Sequence, residues 1–563
     1  MAKKRLTLMA DFETTTDPAD CRVWASCAVD VDALEIAYLG PDLTGFMEYL
    51  ADKNTVCYFH NLKFDGEFIL HWLFSHGFRY SESRNDKTFK ALITDDGLFY
   101  SIEVVFKKLN KKYNKVVFYD SLKKLPFKVA TIAKAFELQQ SKGEIDYTAP
   151  RPLGYEMTQE EKDYIVTDCQ IVAEALKIQF EQGLKKMTNA SDALNGYKSI
   201  IGESRFEKWF PVLPIELDQD LRRAYKGGYV YMAPQHKNKR GLHGKQYDVN
   251  SLYPWAMYEC LLPYGYPVFF EGKYQHDDRH PLYIVHMRCC FELKPEHLPT
   301  LQLKNNRRFL ETEYLTSSRV MVGDHEVNDP IEMWLTSVDY DLLKDHYELT
   351  EVEYINGFKF KAAVGMFKDY IDYWMHIKET TTGALRQLAK LMLNSLYGKF
   401  ATNPKARKKL PYLDAGDNVV RYRLDDPEER DPVYTAMGCF ITAYARNKTI
   451  RSAQSVYDRF IYADTDSLKL TGYETPEGLE IHPTHLGAWK DEGDFQDSKW
   501  LRAKTYMVTV NGKTKVTCAG MPDNVKTLVT YDNFQSGSTF PGKLMPRRYP
   551  GGIILEPTTF TIK

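Results

Sequence analysis

The chain has 563 residues, 44% hydrophobic and 27% charged, with a net charge of -2 at neutral pH. That length exceeds what one hydrophobic core organises, so several domains are expected of what reads as an ordinary soluble globular protein. No apolar run is long enough to span a bilayer, no signal peptide precedes the first strand-like segment, and nine scattered cysteines without C-x-x-C pairs point away from a disulfide framework or a zinc site and toward a reducing cytoplasm. The near-neutral charge argues weakly against a dedicated nucleic-acid binder, but basic clusters occur at Lys107-Lys108, Lys111-Lys112 and Lys115, at Lys405, Arg407, Lys408 and Lys409, and at Arg547-Arg548. Each cluster by itself reads as a solvated loop. The 38 tyrosines would suit stacking on bases, although most are expected to be core or interface residues.

In chain order, the first third alternates strands and helices. Residues 6–10 and 55–59 read as buried strands, 98–106 and 115–119 as a hairpin around a lysine-rich turn, and 160–186 as a helix that ends the region. Asp11 and Glu13 follow the first strand and project to one side. Asp65 follows the second, in His60-Asn61-Leu62-Lys63-Phe64-Asp65-Gly66, and Tyr164 and Asp168 are four apart on the helix and share a face. Taken singly, each acid reads as a surface residue. As a set in one α/β domain, the four suit a two-metal phosphodiester site with water as nucleophile, Tyr164 orienting the water and Lys142 stabilising the phosphate charge. Residues 187–192 read as a domain boundary.

Residues 225–258 form a Gly-containing strand region that leads to Tyr247-Asp248-Val249-Asn250-Ser251-Leu252-Tyr253-Pro254, with Asp248 at a strand end and Pro254 in the first turn of a helix. Residues 261–364 mix short strands, prolines and charged turns and read as an inserted module. Residues 366–400 are largely helical, and 401–432 read as a second, smaller insertion. On the helix 383–397, Arg386, Lys390, Asn394 and Tyr397 line one face, suited to neutralising triphosphate oxygens and stacking below a base; the same pattern alone is the wet face of an amphipathic helix. Tyr462-Ala463-Asp464-Thr465-Asp466-Ser467 reads as a strand hairpin that points Asp464 and Asp466 the same way, or else as a solvated acidic turn. Hard oxygen ligands select magnesium or manganese, and Asp248 with Asp466 could hold two such ions, one activating a 3′-hydroxyl and the other stabilising pyrophosphate. Tyr253, unless a core aromatic, would press on the sugar and exclude a 2′-hydroxyl. Lys504 and Tyr506 are expected on one side of a strand, holding the primer end. The chain closes with a Pro- and Gly-rich tail at 541–557.

These motifs together resemble the protein-primed family B DNA polymerases of small Bacillus phages, the phi-twenty-nine type, over essentially the whole chain. The carriers are Asp11-Phe12-Glu13-Thr14, Asn61 to Gly66, Tyr164 with Asp168, Tyr225-Lys226-Gly227-Gly228, Asp248 to Pro254, Leu388 to Gly398, Tyr462 to Ser467, and Lys504 to Tyr506. The resemblance implies a multidomain α/β and α+β chain: a ribonuclease H-like 3′–5′ exonuclease (1–188) and a right-hand polymerase with palm (189–259 and 434–518), fingers (366–401), thumb (519–563) and two terminal-protein-region insertions (260–365 and 402–433). It implies that Asp248, Val249 and Asp466 hold two Mg2+ ions (or Mn2+) with Asp464 in support, and that Asp11, Glu13, Asp65 and Asp168 hold two more, assisted by Tyr164 and Lys142. Lys390 becomes the triphosphate ligand, with Val249, Arg386 and Asn394 nearby, Tyr253 the sugar gate and Tyr397 a contact to the nascent pair. Lys504 and Tyr506, with Tyr225, Gly227 and Gly228, hold primer-template DNA, while Thr14, His60, Asn61, Phe64, Phe68, Ser121 and Leu122 hold single-stranded DNA. A monomer in the cytoplasm of a bacterial host is implied, using dNTPs and a terminal protein that primes synthesis, with processive strand displacement. Departures are a short Tyr506 to Cys518 segment, and Lys226 and Arg386 where arginine and lysine are expected. The alternatives are a DNA-primed family B polymerase, a nuclease with a DNA-binding C-terminal region, and a catalytically silent DNA-binding or packaging factor.

Overall fold

The computed structural model describes residues 5–109, 112–303, 310 and 313–563; Lys111 of the basic cluster lies outside the described residues. The N-terminal region is built on an eight-stranded sheet in the order Ile36–Gly40, Val23–Asp30, Leu6–Thr14, Thr55–Phe59, Lys112–Asp120, Phe99–Leu109, Thr88–Ile93, Arg79–Tyr80. Its centre is parallel, Leu6–Thr14 beside Thr55–Phe59 beside Lys112–Asp120. Such strands are buried on both faces, and the first shows why: Leu8, Ala10 and Phe12 pack among the helices Leu43–Ala51 and Leu62–Ser75, while Met9 packs with the helix Gln159–Glu181. Asp11 and Glu13 continue the Met9 side, toward the helix that carries Asp168. Both acids sit at the carboxyl end of a parallel strand, where open α/β sheets place their sites.

The helix Gln159–Glu181 starts on a capping box between Thr158 and Glu161. It ends five residues before the expected 186, because Gly183 turns to φ +77° and Gly183 N and Leu184 N donate to the carbonyls of Phe180 and Gln179. The expected boundary is no loose linker. Thr188 caps the helix Asn189–Ile201, and the Lys124–Asp192 ion pair (2.6 Å, 0% and 2% exposed) ties it back to the first sheet region.

A second sheet has the order Trp489–Phe495, Gly244–Val249, Ser467–Thr471, Phe460–Asp464, Val230–Met232. Between its strands the chain inserts a four-stranded sheet, Leu262–Glu271, Tyr347–Ala363, Leu282–Leu293, Ile331–Thr336. The expected short strands here include one of 17 residues, Tyr347–Ala363, which pairs along both neighbours. The helices Lys368–Thr380 and Gly383–Phe400 follow, then the small hairpin Lys409–Leu413 with Val420–Leu424.

The short segment at 506–518 is a tight hairpin, Thr505–Val510 with Lys513–Cys518, turned by Asn511-Gly512 with both residues at positive φ (50° and 73°). The Pro- and Gly-rich tail forms a long exposed ribbon, Thr539–Tyr549 with Gly552–Thr561, where prolines cost little because the outer backbone faces water. Its tip docks on the first region: Gly551 has φ +104°, and a Cβ there would fall 1.9 Å from the Cys21 carbonyl. Beside it, the buried Glu67 accepts from Arg548 Nε and from Tyr422 Oη, each at 2.8 Å, joining ribbon, small hairpin and first sheet region.

Candidate active sites

Asp248 is the penultimate residue of the strand Gly244–Val249, opposite Ser467 on one side and Lys490 on the other. Burial raises its carboxyl to about 7, helped by the charges of Asp466 and Glu492. Asp466 is likewise raised by burial and by Asp464. The hairpin is present, Phe460–Asp464 with Ser467–Thr471, but strand alternation does not align its two acids. Asp464 ends the strand, Thr465 takes φ +58°, and Asp466 lies in the turn. Four contacts fix that turn: Val249 N donates to the Asp466 carbonyl (2.7 Å), Asp466 N to the Asp464 carbonyl (2.7 Å), Thr465 N to the Tyr229 carbonyl (2.7 Å), and Thr449 Oγ1 to the Thr465 carbonyl (2.6 Å). A Cβ on Gly228 would lie 2.5 Å from Thr465 Oγ1, so the Tyr225 to Gly228 segment needs glycine to cradle the turn.

Asp464 is occupied otherwise. Both its oxygens accept from Lys504 Nζ at 2.9 Å, and Oδ2 accepts from Tyr462 Oη at 3.0 Å. Lys504 lies in a turn at φ +57° and not on the strand with Tyr506, contrary to the expected shared strand face. Tyr506 stacks on Trp500, centroids 4.6 Å apart.

Across the cleft, Arg386, Lys390 and Tyr397 are half-buried and Asn394 is exposed on the helix Gly383–Phe400. Tyr397 stacks on Tyr253 at 3.9 Å and 14°. Burial, then Arg386 and Lys490, push the Lys390 ammonium down. The sequence reading missed Lys378, whose Nζ donates to Ser251 Oγ at 2.9 Å and which feels Arg386 and Lys390. It also missed Arg446, which grips Asp339 through Nη2 at 2.8 and 2.7 Å and donates from Nη1 to the carbonyls of Lys226 and Gly227.

In the first region, burial and the charges of neighbouring acids raise Asp11 to about 7 and Glu13 and Asp65 well above the usual range, while Asp168 is raised by burial alone, against the pull of Lys142. Lys142 pairs with Asp168 Oδ2, and Tyr164 Oη shares a 2.7 Å hydrogen bond with Tyr147 Oη. Oδ1 of Asp65 and Oδ1 of Asp168 are buried without a partner. As the side chains stand, no three His, Cys, Asp or Glu residues among the described ones converge closely enough to ligate one ion. Magnesium is commonly held by one or two carboxylates with water and phosphate oxygens completing its shell, and the unpartnered oxygens and crowded charges fit such a cation.

Of the residues expected on single-stranded DNA, Asn61 is exposed and Thr14, Phe64 and Leu122 are half-buried. Phe68 (1% exposed) and Ser121 (0%) are core positions and offer a strand no surface. His60 is fixed by Ser121 Oγ (2.9 Å) and the Phe127 carbonyl (2.7 Å), and burial lowers its pKa.

A family model described as DNA polymerase type B, organellar and viral, matches residues 47–153 and 149–481. The chain is 47% identical over 573 residues to the DNA polymerase of Bacillus phage phi29, covering 98% of each chain. The chain belongs to the type B DNA polymerases, phi29 type. It is also 35% identical over 581 residues to the DNA polymerase of Streptococcus phage Cp-1, covering 98% of each. The solved phi29 DNA polymerase complexed with primer-template DNA aligns at TM-score 0.94 and 46% identity, over 99% of this chain and 100% of that one, and the form complexed with single-stranded DNA at 0.93. This polymerase is accordingly a DNA-directed DNA polymerase of a family that uses divalent metals. Among its described residues no helix is long and apolar enough to cross a membrane.

Proposed function

We propose that this polymerase replicates a phage genome with two separate carboxylate centres, extending primers at Asp248 and Asp466 and proofreading 3′ to 5′ at Asp11, Glu13, Asp65 and Asp168. The observation that carries the reading is the presence of two clusters of buried or half-buried acids on two different sheets, whose carboxyls are raised by burial and by neighbouring acids. The phi29 DNA polymerase, solved with primer-template DNA, with incoming nucleotide and with single-stranded DNA, supports these three substrates.

Two Mg2+ ions per centre, or Mn2+, would supply Lewis acidity and lower the pKa of the attacking hydroxyl or water. At the first centre the primer 3′-oxygen bonds to the α-phosphorus as the bond to pyrophosphate breaks, and the hydroxyl proton leaves to solvent. Lys378, Arg386 and Lys390 neutralise the triphosphate, with Asn394 and Val249 beside it. Tyr253 presses on the deoxyribose, and Tyr397 backs Tyr253 against the nascent pair. Lys504, Tyr506, Tyr225, Gly227 and Gly228 steady the primer-template. At the second centre Tyr164 orients water, Lys142 offsets phosphate charge, and Thr14, Asn61, Phe64 and Leu122 seat the strand. The module limits given above follow this reading, with residues 1–188 as exonuclease and 519–563 as thumb.

Asp11→Ala with Asp65→Ala should abolish digestion of labelled single strands and leave primer extension intact. Parallel loss of both activities would defeat the division into two centres. Protein priming and strand displacement, in the host cytoplasm, extend the same proposal on the strength of the motif resemblance alone. Incubation with the phage's terminal protein, labelled dATP and Mn2+ should label that protein covalently. A chain that extends DNA primers yet labels no terminal protein is DNA-primed.

A further inference from the structure

Lys490 is a cation of the polymerase site that the roles above leave unused. It lies on the strand Trp489–Phe495 directly opposite Asp248 in antiparallel register, so the two side chains leave the sheet on one face. It is partly exposed and pairs with Glu492, two residues along the same strand. Its charge reaches both Asp248 and, across the cleft, Lys390. Lys390 in turn stands near Arg386, and both act on Lys378, which Ser251 holds. Four cations from three elements thus converge on one cleft: the helix Lys368–Thr380, the helix Gly383–Phe400 and the strand Trp489–Phe495. Like charges so gathered repel until an anion comes between them. An anion that reaches the sheet and both helices at once must carry several charges along a chain.

We propose that Lys490 is a ligand of the β- and γ-phosphates of the incoming dNTP, and of the pyrophosphate it leaves, closing from the sheet side the cradle formed by Lys378, Arg386 and Lys390. The inference rests on Asp248 and Asp466 being the polymerising centre. An ammonium has three donors, so Lys490 can keep Glu492 and add a phosphate oxygen. Glu492 steadies the side chain while the cleft is empty. Nothing in the local sequence marks Lys490: Trp489-Lys490-Asp491-Glu492 reads as a wet edge strand, and only the register with Asp248 gives it a place.

Single-nucleotide extension by the full chain tests this. Lys490→Met should raise KM for dNTP roughly ten-fold and weaken inhibition by added inorganic pyrophosphate to a similar degree, while kcat falls by less. Lys490→Arg should hold KM to within about three-fold of the parent, because charge and donors remain. Lys490→Met combined with Glu492→Gln should stay impaired. Digestion of single strands reports that each variant is folded. A KM for Lys490→Met within about two-fold of the parent overturns the proposal, as does rescue by Glu492→Gln or an Arg variant as weak as Met. If Asp248→Asn still extends primers, the location of the centre itself is wrong, which is a different failure.

Discussion

Asp248→Asn should leave a folded protein that digests single strands and extends primers at roughly one-thousandth of the parent rate or less. The substitution keeps size and shape and removes only the charge, so the loss isolates electrostatics at the reacting phosphate. Asp466→Asn should match it. Asp464→Asn should cost much less, since that carboxylate is already balanced by Lys504 at 2.9 Å and receives Tyr462 Oη. Single-turnover extension with a matched primer-template measures all three. A thermal scan in chelator adds an independent readout. The Asp248 carboxyl is raised to about 7 in the folded chain, against about 4 unfolded, so its ionisation weakens the fold as pH rises through that window. Asp248→Asn should therefore melt above the parent at pH 8 and near it at pH 4. Equal loss of rate for Asp464→Asn and Asp248→Asn would refute the division of labour in the turn.

How much of this was legible depended on whether the cause was local. The strand Thr55–Phe59 was readable because five consecutive buried residues precede a polar turn, and the helix Gln159–Glu181 because its apolar spacing is helical. Its true end was not, since glycine at 183 acts through a backbone reversal that side-chain periodicity does not report. Asp248 and Asp466 stood out through their flanking motifs, but their relation to Asp464 did not: alternation assumes a continuous strand, and Thr465 breaks it. The Pro- and Gly-rich composition at 541–557 carried no strand signal, yet a two-stranded ribbon has outward positions where a proline's missing donor is not needed. Phe68 and Ser121 kept the sequence of a binding surface while the docked ribbon and neighbouring strand buried them. Lys378 and Lys490 carried no local signal at all. Their placement comes from packing between segments far apart in sequence, as does the pairing of Arg446 with Asp339, 107 positions away.

That last pair carries the largest expected effect on stability. Arg446 and Asp339 are 5% and 7% exposed at their side chains, with a two-pronged contact and a further bond from Thr336 Oγ1 to Asp339 Oδ2 at 2.9 Å. Burial opposes ionisation of Asp339, but the charges of Arg446 and then Lys226 outweigh it and hold the carboxyl below its usual range. Arg446→Met leaves that carboxylate buried without its main counter-charge, a change that costs about 3–5 kcal/mol. It also frees the carbonyls of Lys226 and Gly227, and with them the segment that cradles Thr465 and the Asp466 turn. Extension should thus fall in Arg446→Met even below its melting point, although Arg446 is not assigned to any substrate. Arg446→Met with Asp339→Leu separates the two consequences. Removing both charges should recover most of the lost stability, because no unpaired ion remains, while extension stays low because the two carbonyls are still unheld. If the double variant recovers extension along with stability, Arg446 acts only as a counter-charge, and the cradle around Asp466 holds without it.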